Sequence, residues 1–319
     1  MSLESDDLSI IEILQRDSMT PLSRIGEMVG LSRFAVRDRI YKLFADRVIF
    51  GPTIIVNPAL VGLKRTVFFE LKTNPHEPWL AELLEEMTAC DLLDGITGEY
   101  SLLARFRISD EGHFDKTLKR IDEAMSRSFF KKYQVIDAIN TFKESGVPFN
   151  RKAITPDLDR IDFEILKVLL NQTTYVRAPR PLSTTQISGI ISDRGIQISQ
   201  PAVFRRLRRL ESRSVILRHT IMVDQLKLGL RTKLVVRIKV NPASYTTVAH
   251  NLLIPMDQIL DLYRTGEDYG LLATIRISNI AEYNSFLLRL YASEDIIDTH
   301  TVLVLEERKQ SPLPLSEYC

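Results

Sequence analysis

The sequence predicts an α+β fold in which two kinds of module alternate, each occurring twice: three short helices leading into a strand, then a β-α-β-β-α-β unit. Three observations carry this. The chain repeats itself at a long period, helical spacing and turn residues recur in one order, and each half then turns β-rich.

The repeat is explicit. Val48-Ile49-Phe50-Gly51-Pro52-Thr53-Ile54-Ile55-Val56 is answered by Val215-Ile216-Leu217-Arg218-His219-Thr220-Ile221-Met222-Val223, and Gly62-Leu63 by Gly229-Leu230, at a shift of 167. Glu12-Ile13-Leu14 answers Glu164-Ile165-Leu166 at 152, and Thr97-Gly98-Glu99 answers Thr265-Gly266-Glu267 at 168. The change in shift implies an insertion of 15 residues in the second copy, around Thr173–Arg180 and Ser192–Gln197. The period far exceeds the roughly 20–50 residues of a solenoid, so a whole protein has been duplicated.

Within copy one, Ile10, Ile11 and Leu14 are spaced for a helix. Thr20-Pro21 reads as an N-cap and a first helical residue, before Leu22, Ile25 and Val29. Gly30 breaks that helix, and Ser32 can cap a third one that points Val36, Ile40 and Leu43 inward. The β-rich stretch 48–56 follows, which completes the order of a winged helix-turn-helix. Residues 64–143 then read as strands 64–72, 91–97, 100–108 and 133–143 with helices 78–88 and 110–126, the ferredoxin-like order. Copy two repeats it with strands 231–240, 258–265, 269–277 and 296–306 and helices 244–253 and 280–291. The expected domains are 1–62 and 157–229 (winged helix-turn-helix) and 63–145 and 230–309 (ferredoxin-like), with a Gly- and Pro-bearing linker at 146–156. Thr66-Val67-Phe68-Phe69 and Leu234-Val235-Val236 are apolar on successive residues, so both sheet faces must be covered. The two α/β units are therefore expected to pair, within or between chains, in at least a homodimer.

Composition narrows the function. At 45% hydrophobic and 26% charged the profile is that of a soluble globular protein, and no apolar run approaches the roughly 20 residues of a membrane span. No signal peptide is evident at the first residues, and Cys90 and Cys319 are the only cysteines, so a reducing cytoplasm fits. Net charge is only +1, but residues 157–229 hold 12 Lys and Arg against 7 Asp and Glu, whereas residues 1–62 hold 7 against 8. Local positive charge is what contact with double-stranded DNA needs. The five histidines lack metal-ligand spacing, and no nucleophile elbow or phosphate loop is present. Neither a cofactor nor catalysis is expected.

The ordered set resembles the Lrp/AsnC family of regulators. Its residues are Leu22-Ser23-x-Ile25-Gly26-x-x-Val29-Gly30-Leu31-Ser32, Val36-x-x-Arg39-Ile40-x-x-Leu43 and Val48-Ile49, then Ile198-Ser199, Val203-x-x-Arg206-Leu207-x-x-Leu210-Glu211 and Val215-Ile216. The resemblance implies an amino-acid-type effector and oligomerisation through the α/β domains. On the third helix of copy one, Phe34, Arg37, Asp38 and Tyr41 lie opposite the apolar face, with Arg33 at its edge. The matching positions of copy two are Gln200, Pro201, Phe204, Arg205 and Arg208, flanked by Arg206 and Arg209. The DNA-reading candidates are thus Ser32, Arg33, Arg37, Arg39 and Tyr41, and Ser199, Gln200, Arg205, Arg206, Arg208 and Arg209. Arg suits guanine or phosphate, Gln suits adenine, and the two serines suit caps near phosphate. Asp38 repels phosphate, so copy two is expected to be the stronger reader, and the unlike helices suit two unlike half-sites.

The effector candidates are Gly98, Glu99 and Tyr100, with Gly266, Glu267 and Tyr269, whose turns can offer backbone N–H groups to a carboxylate. The Asp that usually follows the aromatic residue in the family is Ser101 in one copy and Gly270 in the other, and Asp268 is an extra residue. An amino-acid ammonium therefore misses its usual carboxylate. Two alternatives stand beside the regulator: a siroheme decarboxylase of the same fold, which needs His and Arg in an α/β pocket where these strands look mainly apolar, and a co-regulator that touches DNA weakly.

Overall fold

Helical spacing in the first 45 residues produces three helices around one core. In the computed structural model, which describes residues 3–149, 157–175 and 179–315, these are α1 (Ser5–Arg16), α2 (Leu22–Val29) and α3 (Arg33–Ala45), followed by β1 (Ile49–Val56). Ile10, Ile11, Leu14, Ile25, Val36, Ile40 and Leu43 are buried together, each contributing about 1.5–3 kcal/mol of apolar burial. Pro21, not Thr20, holds the N-cap of α2, because the Thr20 hydroxyl instead donates to the Asp17 carbonyl at 2.8 Å. Gly30 ends α2 at φ 72°, a left-handed conformation suited to glycine.

The same unit holds a second helical set: α6 (Arg160–Leu170), the short α7 (Gln172–Tyr175), α8 (Thr184–Asp193) and α9 (Gln200–Ser212), then β7 (Ile216–Val223). Both first helices open with a capping box, in which Asp7 accepts from the Glu4 amide and Asp162 from the Asp159 amide, each at 3.2 Å. Ile165, Leu166 and Leu169 are buried where Ile10, Ile11 and Leu14 are in the first set. The helices therefore correspond at a shift of 155, and the Glu-Ile-Leu match at 152 is nearly one turn out of phase. The insertion is three residues shorter than the local string suggests. It falls mainly in the connections 172–183 and 194–199, against 17–21 and 30–32 in the first set, with α8 two residues longer than α2. β1 and β7 pair antiparallel, from Ile49 opposite Val223 to Val56 opposite Ile216. Ile221 thereby joins the core of the first three helices.

The second unit begins at Pro58 and resumes at Leu230. Its first half holds β2 (Arg65–Leu71), α4 (Pro78–Glu86), β3 (Cys90–Ile96), β4 (Leu102–Ile108), α5 (Glu111–Arg127), β5 (Tyr133–Glu144) and a short β6 (Val147–Pro148). The expected linker 146–156 thus opens in a strand, and part of it lies outside the described residues. The second half holds β8 (Thr232–Val240), α10 (Tyr245–Val248) running into a π-helical turn 249–253, β9 (Ile259–Thr265), β10 (Leu271–Ile277), α11 (Ile280–Leu290) and β11 (Ile296–Gln310). Each half has the ferredoxin-like order, β5-β2-β4-β3 and β11-β8-β10-β9.

The two sheets then join. β11 pairs with β3 and β5 with β9, so eight strands close into a ring. The doubly apolar strands follow from this. Val67 and Phe69 pack among the residues of α4 and α5, whereas Phe68 joins Val235, Tyr263, Leu272 and Val302 in a core between the two sheets. Pairing of the α/β halves takes place inside one chain, and closure leaves fewer bare sheet edges.

Candidate nucleic-acid interface and effector turns

The candidates on α3 divide. Ser32 caps the helix, its hydroxyl oxygen accepting from the Ala35 amide at 3.1 Å. Arg33 is exposed, as are Phe34 and Tyr41. Arg37 lies 5.4 Å from the Phe34 ring centroid and pairs with Asp38 at 2.9 Å. Arg39 turns inward instead, bonding Asp7 at 2.9 Å and Glu4 at 2.7 Å at the start of α1. The hydrogen bonds it donates to Glu4 and then Asp7 drive its pKa upward.

α9 divides in the same way. Arg205 is exposed, and Arg208 lies 5.4 Å from the Phe204 ring with Glu211 at 3.3 Å. Arg206 bonds Asp159 at 2.7 Å and Asp162 at 2.9 Å, and Arg209 also holds Asp162. Burial alone would raise the Asp159 pKa, but the Arg206 hydrogen bond holds it below its ordinary value. Gln200 donates to the Thr184 hydroxyl at 2.7 Å, tying α9 to the start of α8. Ser199 stands at the N-cap, yet its side chain makes no cap bond. Arg39, Arg206 and Arg209 are thus engaged as clasps on the first helix of each set. The outward groups include Arg33, Phe34, Arg37, Asp38 and Tyr41 on α3, and Gln200, Phe204, Arg205 and Arg208 on α9. The wheel placed Phe34 and Phe204 outward, but their part in holding guanidinium planes in place went unread.

The two turns differ. Thr97 is tied to β11, its amide donating to the Leu303 carbonyl at 2.9 Å and its hydroxyl accepting from the Leu303 amide at 3.0 Å. Gly98 has φ 104°, and a Cβ there would stand 3.5 Å from Val302. Glu99 pairs with Lys132, which lowers its pKa and places the ammonium 5.6 Å from the Tyr100 ring. In the second turn Gly266 needs no left-handed backbone, and its Cβ would meet Ile139 at an ordinary 3.7 Å. Arg264 staples this turn by donating to the Thr265 and Gly270 carbonyls at 2.6 and 2.7 Å. Tyr269 donates to Asp298 at 2.5 Å, and Glu267 is exposed.

The strands of the α/β unit are mainly apolar, as expected, but they also bury charged side chains that the sequence reading did not anticipate. Fully buried Arg107 bonds Asp91 at 2.7 Å and Glu144 at 2.5 Å. Arg105 bonds Asp91 at 2.8 Å and the Tyr263 hydroxyl at 2.9 Å. Burial would raise the Asp91 pKa, but Arg105 and Arg107 hold it below its ordinary value. The signal was available: Arg105 and Arg107 alternate with Ala104 and Phe106 on a strand whose two faces must both be covered.

No helix among the described residues is long and apolar enough to cross a membrane. Residues 3–43 match the AsnC-type helix-turn-helix domain, and residues 233–314 the Lrp/AsnC ligand binding domain. The HTH-type transcriptional regulator FL11 of Pyrococcus horikoshii is 31% identical over 155 residues, 93% of its length and 48% of this chain. The DNA-binding transcriptional activator DecR of Escherichia coli K12 is 27% identical over 123 residues, 81% of its length and 37% of this chain. The siroheme decarboxylase NirDL, solved with an iron-uroporphyrin III analogue, superposes with a TM-score of 0.67 over 98% of this chain and 96% of its own. At 14% identity that likeness shows a shared fold and nothing more. Together the two domain matches and the identity to a nearly complete relative place the chain in the Lrp/AsnC family.

Proposed function

We propose that the chain is a sequence-specific DNA-binding transcription regulator, a tandem duplicate of the family architecture, whose α3 and α9 read two unlike half-sites and whose α/β unit answers to a small molecule. The observation that carries this is the sorting of arginines on the two third helices. Equivalent arginines, Arg39 and Arg206, are spent on holding each helix to its own set. A basic-aromatic face is left outward on α9 by Arg205, Arg208 and Phe204. The α/β halves, expected to pair within or between chains, pair inside this one, and the same chain supplies both proposed reading helices.

Each neutralised phosphate contributes about 0.9 to the salt slope of log K. On a fragment found by genome-wide mapping of bound sites, Arg205→Ala with Arg208→Ala weakens binding at least about tenfold and lowers the slope by roughly one to two. Arg33→Ala with Arg37→Ala does less, because Asp38 holds Arg37 at 2.9 Å, closer than Glu211 holds Arg208 at 3.3 Å, and residues 1–62 lack the net positive charge of 157–229. The readout is a binding titration at several salt concentrations, with circular dichroism as the folding control. Unchanged binding in both variants would sink the reading. A larger loss from the α3 variant would make copy one the principal reader.

NirDL shares only the fold, and a tetrapyrrole decarboxylase is kept as the second reading for experiment to separate. Titration with an iron tetrapyrrole separates the two: a saturable Soret shift favours the enzyme, its absence the regulator.

A further inference from the structure

The eight-stranded ring brings equivalent positions of the two copies against one another. Glu70 on β2 opposes Leu103 and Gln134, and Arg237 on β8 opposes Leu272 and His300. The two residues hold the same place in their sheets. Across the ring they meet as an ion pair, with side chains 2% and 17% exposed.

A second pair breaks the symmetry in the same sense. Lys233 opposes Arg276 as Thr66 opposes Arg107, so Lys233 stands where copy one has Thr66. Asp94 opposes Leu103 as Tyr263 opposes Leu272, so Asp94 stands where copy two has Tyr263. Lys233 and Asp94 pair across the copies at 2.7 Å, both buried.

We infer that these charges form a lock that makes each α/β half complementary to the other and unfit for its own kind. A ring of two first halves would set Glu70 against Glu70 and leave Asp94 facing Thr66. A ring of two second halves would set Arg237 against Arg237 and leave Lys233 facing Tyr263. Both arrangements strand buried charge, which is far more costly than an exposed mismatch. The partner this surface fits is therefore the other half, and identity is assigned by charge because the strand order of the halves is the same. The inference concerns the α/β unit alone and stands whether or not α3 and α9 read DNA.

The test is a charge swap in the full chain, with thermal unfolding followed by Trp79, which lies on α4 in this unit. Glu70→Arg and Arg237→Glu each place like charges together, and each lowers the midpoint by at least about 5 °C. The chain carrying both changes recovers most of that loss. A swap chain that loses the sum of the two shifts, or fails to fold, overturns the lock, as does a single reversal without effect. Glu70→Gln and Arg237→Gln keep the test informative if the reversals do not fold. Their shifts are strongly non-additive if the pair is coupled and additive if it is not.

Discussion

Arg206 shows how much of a basic helix is structural. It reaches the capping Asp159 and Asp162 of α6, with Arg209 also on Asp162, as Arg39 reaches Glu4 and Asp7 at the start of α1. An exposed pair would be worth little, but Asp162 is fully buried. Stripping a buried charge of its partner costs about 3–5 kcal/mol; Arg206→Ala leaves Arg209 on Asp162, so it destabilises the helical unit by less than that. The effect depends on pH. Asp159 titrates below its ordinary 3.8 in the folded chain, so its stabilisation is present at neutral pH and lost as pH falls through its folded value. Unfolding midpoints by circular dichroism will show the variant well below wild type at pH 7, with a gap that narrows toward pH 3. A gap of constant width would mean that packing, not charge, is lost. The wheel left Arg206 and Arg209 at the flanks because it does not say which neighbouring helix covers which flank. The Asp159-x-x-Asp162 box was legible in the sequence, but its second use as a receptor for arginine depends on tertiary packing.

At the scale of elements, the two candidate effector turns are unlike despite their shared Thr-Gly-Glu. Gly98 at φ 104° excludes a β-branched side chain at a cost of about 1–3 kcal/mol, whereas Gly266 has no such strain. Gly98→Val therefore lowers the unfolding midpoint, and Gly266→Val leaves it near wild type. Only the second substitution can test effector binding in an intact fold, and a tolerant Gly98→Val would show that the turn readily rearranges. Periodicity located most elements closely: the helix read at 110–126 is Glu111–Arg127. It missed the division of 244–253 into α10 and a π-helical turn, since apolar spacing does not distinguish one helical hydrogen-bond pattern from another. Alternation of Arg with Phe and Ala on β4 was visible, but its acidic partners come from β3 and β5. Long-range partners of that kind leave no local pattern.

For the whole molecule, ring closure ties the fate of one half of the α/β unit to that of the other. Cys90 tests this. It begins β3, which pairs with β4 of its own half and β11 of the other. Its side chain is buried and its Sγ donates to the Leu92 carbonyl at 3.3 Å. Burial, aided by neighbouring Asp91, pushes the thiol up to about 12, so at pH 8 it is neither accessible nor ionised, and the thiolate is the reactive form. With Cys319→Ser removing the other cysteine, labelling by an aromatic disulfide reports opening around β3 alone. If the ring is one cooperative body, labelling in buffer is slow and accelerates across a urea series in step with Trp79 fluorescence. Glu70→Arg moves both probes to lower urea together, because the lock and Cys90 belong to the same closed sheet. Labelling that precedes the Trp79 transition would instead show the β3–β11 seam opening separately, and would reduce the ring to two halves joined by a weak edge.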